Sequence, residues 1–335
     1  MSPRAGLVAL LLAACGPEDA WVADDALSLA AAPEEDPVLE AGLEQSLDAA
    51  GPSVAAPYQW PLQPFDRQHP VRGFLNDPRC PGGYDGTPTS FHFGIDVAGA
   101  DGTPVFAVEA GTLVVEAKEV LSVISDRGGR TFSYWHILPA GLKSRSHVER
   151  GQRLGTIAPG WGHVHLAEVR GGQYLNPLRK GAITPFFDYG APKVRALEAR
   201  AGTGTLPLIA VRGTIDLVVD AQDATPVRVE DPRWAGKPVT PALIRYRVLR
   251  GATELVPLTT AVDFRTAKLP RERFKLVFAP GTDQNHADDP GRYWFWLRRG
   301  WDTSSLAPGE LTVEVTASDI RGNTSTRAFS LTVAR

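Results

Sequence analysis

The sequence predicts an all-β protein with two folded units, and three observations lead to this fold class. The chain has 335 residues, which is more than one ordinary domain needs. Its 33 glycines and 28 prolines interrupt many short, strand-like runs. Polar and apolar residues alternate within such runs, for example over residues 131–136, whereas no long amphipathic helical pattern occurs. We therefore expect a barrel-like β-sheet unit followed by a second unit built from strands.

The composition is that of a globular chain, and it excludes several classes of protein. Hydrophobic residues make up 43% and charged residues 22%, which rules out a wholly disordered or fibrous chain. No apolar run reaches the roughly 20 residues of a membrane-spanning helix. Two cysteines, Cys15 and Cys80, are too few for a disulfide framework or a cysteine-rich zinc finger. The sequence has no basic helix, phosphate-binding loop or dense lysine and arginine run, so no nucleic-acid partner is expected.

Residues 1–15 predict a targeting signal. Arg4 precedes the apolar run 5–14, which has the length of a signal-peptide core and is too short to span a membrane. The run ends in Leu12-Ala13-Ala14-Cys15, which resembles a bacterial lipoprotein signal with an acylated cysteine. We expect a lipid on Cys15 that anchors the protein in a cell-envelope membrane. The outer membrane and periplasm are preferred, because Gly16 replaces the Asp that some envelopes use as an inner-membrane signal. The alternative is a plain secretory signal with a chance cysteine.

Acidic residues are concentrated ahead of the folded units. Residues 1–66 contain eleven acidic residues and one basic residue, and the whole chain contains 38 and 35. Residues 67–335 therefore hold 27 acidic and 34 basic residues, a net charge of +7. Segment 16–60 is rich in Ala, Glu, Asp and Pro and lacks lysine and arginine, which predicts a flexible, self-repelling tether. The basic remainder favours an anionic partner such as a cell-wall polymer, and it is equally consistent with an ordinary solvated surface.

The first folded unit is expected over residues 61–185. Its strand-like runs lie at 105–108, 111–117, 120–125, 131–135 and 163–169. Residues 186–204, with Pro192 and Gly202-Thr203-Gly204, predict a linker that can accommodate one short helix over 193–200.

The second folded unit is expected over residues 205–335. Its strand-like runs include 242–249, 273–279, 292–297, 310–317 and 327–333, and the turn signal at 318–323 joins the last two as a hairpin. This spacing is similar to that of immunoglobulin-like or fibronectin-like β-sandwiches. The acidic segment 283–289 can bind a cation in principle, but a solvated loop is the favoured interpretation.

Histidines carry the strongest chemical signal in the sequence. His92 precedes Asp96 by four residues, and His136 ends a strand-like run. His163 and His165 are two residues apart, so on a strand they project to the same face. Imidazole and carboxylate are ordinary zinc ligands, and a catalytic site uses three protein ligands and leaves one position open. From the residues alone, the ligands are His92, Asp96 and either member of the His-x-His pair. The remaining histidines are then acid/base groups or purely structural.

These residues, in this order, resemble the lysostaphin-type or LytM-type zinc metallopeptidases, which are murein endopeptidases with the duplicated hybrid motif fold. The resemblance covers about residues 69–180 and opens with Pro70 to Phe74 before an arginine, matched here by Arg79. It rests mainly on His92-Phe93-Gly94-Ile95-Asp96-Val97, Tyr134-Trp135-His136-Ile137, Gly151-Gln152 to Gly155, and His163-Val164-His165-Leu166. The resemblance implies that His92, Asp96 and His165 bind one zinc ion per chain and that His136 and His163 are catalytic.

The chain departs from the family pattern close to the predicted site. The loop over residues 156–162 is shorter than in many family members, and this shortens one wall of a substrate groove. Tyr134 and Trp161 are the candidate residues of a substrate groove. Trp161 can replace the missing loop as an aromatic wall, although packing is the favoured interpretation for this residue. Leu166 and Ala167 precede Glu168, where the family often has a single apolar residue. All five metal and catalytic positions are present, which argues against an inactive relative.

The predicted function is zinc-dependent hydrolysis of peptide bonds in peptidoglycan stems or cross-links by a lipid-anchored enzyme. Two alternatives remain at this point. One is a non-catalytic lipoprotein that binds or regulates the cell wall on the same fold, and the other is a zinc peptidase that acts on proteins. A metallopeptidase of the His-Glu-x-x-His class is excluded, because that motif is absent.

Overall fold

A computed structural model describes residues 57–80 and 88–334. The predicted signal segment, Cys15 and the predicted tether up to residue 56 lie outside the described residues. The described part is almost entirely β-structure, which confirms the predicted fold class. No helix within residues 57–80 and 88–334 is long and apolar enough to cross a membrane.

The first unit contains short antiparallel strands arranged in two main sheets. Its strands are β1 Val71–Gly73, β2 Pro78–Arg79, β3 Ser90–Phe91, β4 Ile95–Ala98, β5 Pro104–Phe106, β6 Gly111–Ala117, β7 Val120–Ser125, β8 Arg130–Trp135, β9 Ile137–Pro139, β10 His147–Val148, β11 Arg153–Ile157, β12 His163–Arg170 and β13 Gln173–Leu175. The large sheet has the order β1-β4-β12-β8-β7-β6-β10, and β13 pairs with β12. Strands β5, β11 and β9 form the small sheet, and β2 pairs with β3.

Alternation along β4 and β12 separates the core of the first unit from the predicted site. Ile95 and Val97 of β4 and Val164 and Leu166 of β12 belong to one hydrophobic cluster, which also includes residues of the small sheet. Since successive strand residues point to opposite faces, the residues between them face away from this cluster. The burial of four apolar side chains therefore fixes the face on which Asp96, His163 and His165 meet.

Two residues that precede the predicted start of the first unit, at residue 61, pack with that unit. Tyr58 and Trp60 are fully buried in the same hydrophobic cluster. Tyr58 forms a parallel bridge with Ile183, and its hydroxyl donates to Glu168 Oε2 at 2.9 Å. Two large aromatic side chains at the end of the acidic segment therefore anchor the chain in the first unit.

The prediction of a short helix in the linker is wrong. Residues Lys193–Ala201 form strand β14, which pairs with β16 (Thr214–Ala224). A bulge between Val194 and Ala196 shifts the register, so the buried side chains are Val194, Leu197 and Ala199. Buried residues three positions apart imitate helical spacing, which explains why the sequence indicated a helix.

The second unit contains two antiparallel sheets. Its remaining elements are β15 Gly204–Leu206, β17 Pro238–Val239, β18 Leu243–Arg250, β19 Thr253–Asp263, a 3-10 turn Arg271–Arg273, α1 Phe274–Val277, β20 Trp294–Asp302, β21 Gly309–Ser318 and β22 Thr324–Val333. One sheet has the order β15-β14-β16-β17 with β20 on β16, and the other has the order β19-β18-β21-β22. The predicted hairpin is confirmed, because β21 and β22 pair directly from Ser318 and Thr324.

One hydrophobic cluster joins the two sheets of the second unit. Leu217, Val219 and Phe295 come from the first sheet, and Ile244 and Val313 come from the second. Two facing sheets with a shared core agree with the predicted layer arrangement. The likeness to immunoglobulin-like modules stays a prediction, as do the outer bounds of both units.

Candidate metal centre

Three neighbouring strands of the large sheet bring the predicted site residues together. Strands β4 and β12 pair antiparallel, so that His165 lies opposite Asp96 and His163 lies opposite Ala98. The end of β8 pairs with β12 at Trp135 and His165, and His136 follows directly. A strand register thus gathers residues that are up to about 70 positions apart in the sequence.

The side chains of His92, Asp96 and His165 converge on one point. His92 Nε2 lies 2.9 Å from His165 Nδ1, and Asp96 Oδ1 lies 3.1 Å from each of these nitrogens. All three residues are buried, with 3–4% of their surface exposed. Within residues 57–80 and 88–334, they are the one group of three or more His, Cys, Asp and Glu residues whose ligand atoms lie close enough to hold a metal ion.

The chemistry of these three side chains fits a zinc ion. His92 Nδ1 lies 2.8 Å from the Phe74 carbonyl oxygen, which can only accept a hydrogen bond, so Nδ1 carries the proton. The lone pair of His92 Nε2 therefore faces the Asp96 carboxylate, and two acceptors at 3.1 Å repel each other unless a cation lies near both. His165 Nε2 is buried without a hydrogen-bond partner, which leaves its Nδ1 as the polar atom directed into the group. Two imidazoles and one carboxylate are a zinc donor set.

Burial sets the protonation states of the group. It lowers the pKa of His165 to about 4. Burial, together with the nearby Arg79 guanidinium, also lowers the pKa of His92. Burial alone would raise the pKa of Asp96, but the charges that His92 and His163 carry when protonated, and the hydrogen bonds that protonated His163 and His165 can donate, hold it well below its ordinary value. At neutral pH the group therefore offers two neutral imidazoles and one carboxylate.

Two glycines make room for these side chains. A Cβ atom at Gly94 would lie 2.7 Å from His165 Nε2 and 2.4 Å from the Leu166 carbonyl oxygen. A Cβ atom at Gly73 would lie 2.5 Å from Asp96 Oδ2. Any larger residue at either position would displace a candidate ligand, which gives these glycines a steric role in the site.

His163 and His136, the predicted catalytic residues, lie beside the three candidate ligands. His163 Nδ1 lies 2.9 Å from the Trp161 carbonyl oxygen, so Nδ1 carries the proton and Nε2 is the basic nitrogen. That Nε2 lies 3.4 Å from Asp96 Oδ1. The ring of His136 lies 4.7 Å from the ring of His163, measured between centroids, and its backbone has a φ of 65°. Both histidines of the His-x-His pair therefore point into one site, as the strand period predicts.

Trp161 supports His136 instead of forming a separate wall. Its ring stacks on the His136 ring with a centroid distance of 3.7 Å and an interplanar angle of 21°. The Trp161 indole nitrogen donates to Glu119 Oε2 at 3.0 Å, which fixes the ring from behind. The prediction for Tyr134 is wrong, because this residue is fully buried and its hydroxyl accepts a hydrogen bond from the Val108 amide. Tyr134 is therefore a core residue and lines no groove.

The sequence analysis did not identify the groups whose hydrogen bonds hold the candidate ligands in place. Arg79 was matched only to a family pattern, yet its Nη2 donates to Asp96 Oδ2 at 3.0 Å. Asn285 was assigned to a solvated loop, yet it is 2% exposed, and its Oδ1 accepts from Arg79 Nη1 at 3.1 Å. No local signal in the sequence could have found Asn285, because its contact spans 206 residues.

A cleft of about 570 Å³ opens next to the candidate site. One wall belongs to the first unit and includes Gly99, Asp101 and Gly162, the residue before His163. The other wall belongs to the second unit and includes Glu230 and the segment that follows it. Both units therefore border this cleft, which adjoins the residue before His163.

The fold and this site together define a β-sheet protein with a candidate metal centre of two histidines and one aspartate. Residues 90–177 match the family model described as peptidase family M23. The match covers β4, β8 and β12 and all five predicted metal and catalytic positions. It confirms the resemblance drawn from the sequence for this segment of the chain.

Similar solved structures include three peptidases. The catalytic domain of lysostaphin from Staphylococcus simulans is 22% identical, with 29% of this chain and 77% of that chain covered and a TM-score of 0.25. The M23 metalloprotease pseudoalterin from the deep sea is 17% identical, with 38% and 78% covered and a TM-score of 0.28. A zinc-containing peptidase from Vibrio cholerae is 21% identical, with 36% and 39% covered and a TM-score of 0.30. None of the curated proteins matches the chain.

Proposed function

We propose that this protein is a zinc-dependent endopeptidase of the bacterial cell envelope that hydrolyses peptide bonds in peptidoglycan. The observation that carries the proposal is the convergence of His92 Nε2, Asp96 Oδ1 and His165 Nδ1 within hydrogen-bonding distance of one another. The match of residues 90–177 to peptidase family M23 supports it. His92, Asp96 and His165 would hold the ion, which when bound polarises the scissile carbonyl and makes a hydroxide nucleophile accessible at neutral pH.

His163 is the proposed general base. Its Nδ1–H is committed to the Trp161 carbonyl oxygen, which fixes the tautomer and leaves Nε2 available to accept a proton from the attacking water. The same nitrogen can then return that proton to the leaving amine, so the peptide bond breaks without release of an unprotonated amine anion.

His136 is the proposed stabiliser of negative charge on the substrate. In the protonated form, its imidazolium can donate a hydrogen bond to the carbonyl oxygen of the scissile bond as charge develops there. The stacked Trp161 ring restricts the motion of this imidazole, so the donor is oriented before the substrate arrives. Such preorganised donors are among the largest contributions to acyl-transfer catalysis.

The substrate and the location remain part of the proposal. Peptidoglycan is the substrate implied by the resemblance to lysostaphin-type enzymes, and a cleft of about 570 Å³ lies beside Gly162. A lipid on Cys15 would place the enzyme on a cell-envelope membrane, with the outer membrane facing the periplasm as the preferred location. The acidic segment that follows Cys15 would then act as the tether between the membrane and the wall.

Digestion of purified, cross-linked peptidoglycan by the full-length protein tests the proposal. We expect chelator-sensitive loss of cross-linked fragments by mass spectrometry, with activity restored by zinc. His163→Ala should be inactive, whereas His147→Ala should be fully active, because His147 is an exposed histidine paired with Asp126 outside the site. Zinc-loaded protein that cleaves no peptidoglycan contradicts the proposal. Cleavage of a protein substrate would then favour a protein-directed peptidase, and tight binding to the wall without turnover would favour a binding role.

A further inference from the structure

Residues 74–79 of the first unit form hydrogen bonds both with the second unit and with the candidate metal ligands. We infer that the second unit contributes to metal binding. It holds residues 74–79 in place, and these residues in turn orient His92 and Asp96. The inference rests on the proposed function only in assuming that these side chains bind a metal ion.

Residues 74–77 orient His92 through three hydrogen bonds. The His92 Nδ1–H donates to the Phe74 carbonyl oxygen at 2.8 Å. The His92 amide donates to the Asp77 carbonyl oxygen, and the Asn76 amide donates to the His92 carbonyl oxygen, both at 2.9 Å. The position of this turn therefore determines both the backbone of His92 and the direction of its imidazole.

Arg79, at the end of the same segment, orients the carboxylate of Asp96. Its Nη2 donates to Asp96 Oδ2 at 3.0 Å, which leaves Oδ1 directed at the two imidazole nitrogens. Two of the three candidate ligands thus depend on groups that lie within six consecutive residues. Partners that orient a ligand in this way change metal affinity by about 10-fold to 100-fold when they are removed.

The second unit holds this turn through hydrogen bonds to two of its residues, Asp77 and Asn76. The Thr240 amide and hydroxyl both donate to Asp77 Oδ1, at 3.0 and 2.7 Å. Asn76 donates from Nδ2 to the Ala267 carbonyl oxygen at 3.0 Å, and its Oδ1 accepts from the Leu269 amide at 2.9 Å. Asn76 is fully buried and has a φ of 68°, so these bonds hold it in a backbone conformation that is costly without support.

The third contact joins Asn285 to Arg79, which in turn holds the candidate ligand Asp96. Asn285 Nδ2 donates to the carbonyl oxygens of Arg72 and Pro238, at 2.8 and 3.1 Å. Because carbonyl oxygens only accept, the amide nitrogen must face them and the amide oxygen must face Arg79. Its Oδ1 accepts from Arg79 Nη1 at 3.1 Å while Arg79 Nη2 holds Asp96. Asn285 is therefore a positioning residue that acts on Asp96 through Arg79.

An interface that only stabilises the fold would not influence metal affinity, and this difference provides the test. The variant is Asn285→Ala in the full-length protein. The matched control is Asn176→Ala, because Asn176 is buried at the same interface and donates to the Phe264 carbonyl oxygen at 3.0 Å. The hydrogen bonds of the Asn176 side chain lead to Phe264 and Leu178 instead of to a candidate ligand. Each variant loses one buried side-chain amide that forms hydrogen bonds across the interface.

The readout is the zinc dissociation constant of each apoprotein, measured by competition with a chromogenic chelator, with the thermal midpoint recorded in parallel. We expect Asn285→Ala to bind zinc about 10-fold or more weakly than the wild type. Asn176→Ala should lower the thermal midpoint and keep wild-type zinc affinity. Equal zinc affinity in the two variants would overturn the inference. A wild-type protein that binds no zinc would instead overturn the proposed function.

A second variant keeps the inference testable should Asn285→Ala fail to fold. Thr240→Val is nearly isosteric and removes only the hydroxyl that donates to Asp77 Oδ1. We expect a weaker but measurable loss of zinc affinity, about 3-fold to 10-fold, because the Thr240 amide still holds the turn. Unchanged affinity in Thr240→Val, beside wild-type zinc binding in the control, would also overturn the inference.

Discussion

Gly94→Ala should destroy tight zinc binding and also lower the stability of the fold. An added Cβ would lie 2.4 Å from the Leu166 carbonyl oxygen and 2.7 Å from His165 Nε2, where ordinary contacts begin at 3.4 Å. The backbone of Leu166 is held by its pairing with Ile95, so relief of both contacts needs a shift of about 1.0 Å at residue 94 and about 0.7 Å at the His165 ring, the shortfalls from 3.4 Å. Metal–ligand distances tolerate deviations of only about 0.2 Å. The expected loss of zinc affinity is therefore about 100-fold.

The cost to stability follows from the same overlap. One extra methyl group in a packed region costs about 1–3 kcal/mol, which urea unfolding at a fixed zinc-free condition would measure. Gly190→Ala is the control, because its Cβ would meet only Asp188 Oδ1 at 3.6 Å, an ordinary contact. Competition with a chelator gives the zinc affinity of both variants. Wild-type zinc affinity in Gly94→Ala would refute the reasoning that this glycine makes room for a metal ligand.

Two further predictions concern catalysis and pH. Trp161→Ala should lower kcat, because the stacked ring orients His136, and the loss should be smaller than the roughly 100-fold to 1,000-fold that follows removal of such a donor. Trp161→Phe should restore part of the activity, and unchanged kcat in Trp161→Ala would contradict this role. Burial, with the nearby charge of Asp188 adding to it, raises the pKa of Asp223 to about 8 in the folded protein, against about 3.9 when unfolded. The folded state then binds the extra proton, so stability should fall as pH rises from about 4 to 8, by as much as 1.4 kcal/mol per pH unit. Asp223→Asn should flatten this slope in urea unfolding, and an unchanged slope would show that Asp223 is ionised in the fold.

The candidate ligands could be predicted because their signals are local. Four-residue spacing joins His92 to Asp96, and the two-residue period of a strand places His163 and His165 on one face. The structure brings all of these residues to a common point, and the burial of Val164 and Leu166 explains which face of β12 they occupy. Only the order of motifs along the chain, and the family resemblance based on it, indicated which histidines are ligands and which are catalytic.

The parts that could not be predicted depend on contacts between distant segments. Asn285 lies in an acidic segment whose composition indicates a solvated loop, but its environment is set by Arg72, Arg79 and Pro238. Tyr134 lies two residues before the predicted catalytic residue His136, yet it is fully buried in the core. Tertiary pairing with β16 likewise overrides the apparent helical spacing of Val194 and Leu197.

Zinc content of the purified full-length protein tests the central claim most directly. The wild-type protein should bind one zinc ion per chain, measured by elemental analysis after removal of free metal. His165→Ala should bind none and be inactive, because it lacks one of three ligand atoms that converge on the site. His136→Ala should retain most of its zinc and also be inactive, since its side chain is assigned to catalysis. Stoichiometric zinc in His165→Ala would contradict the assigned metal centre.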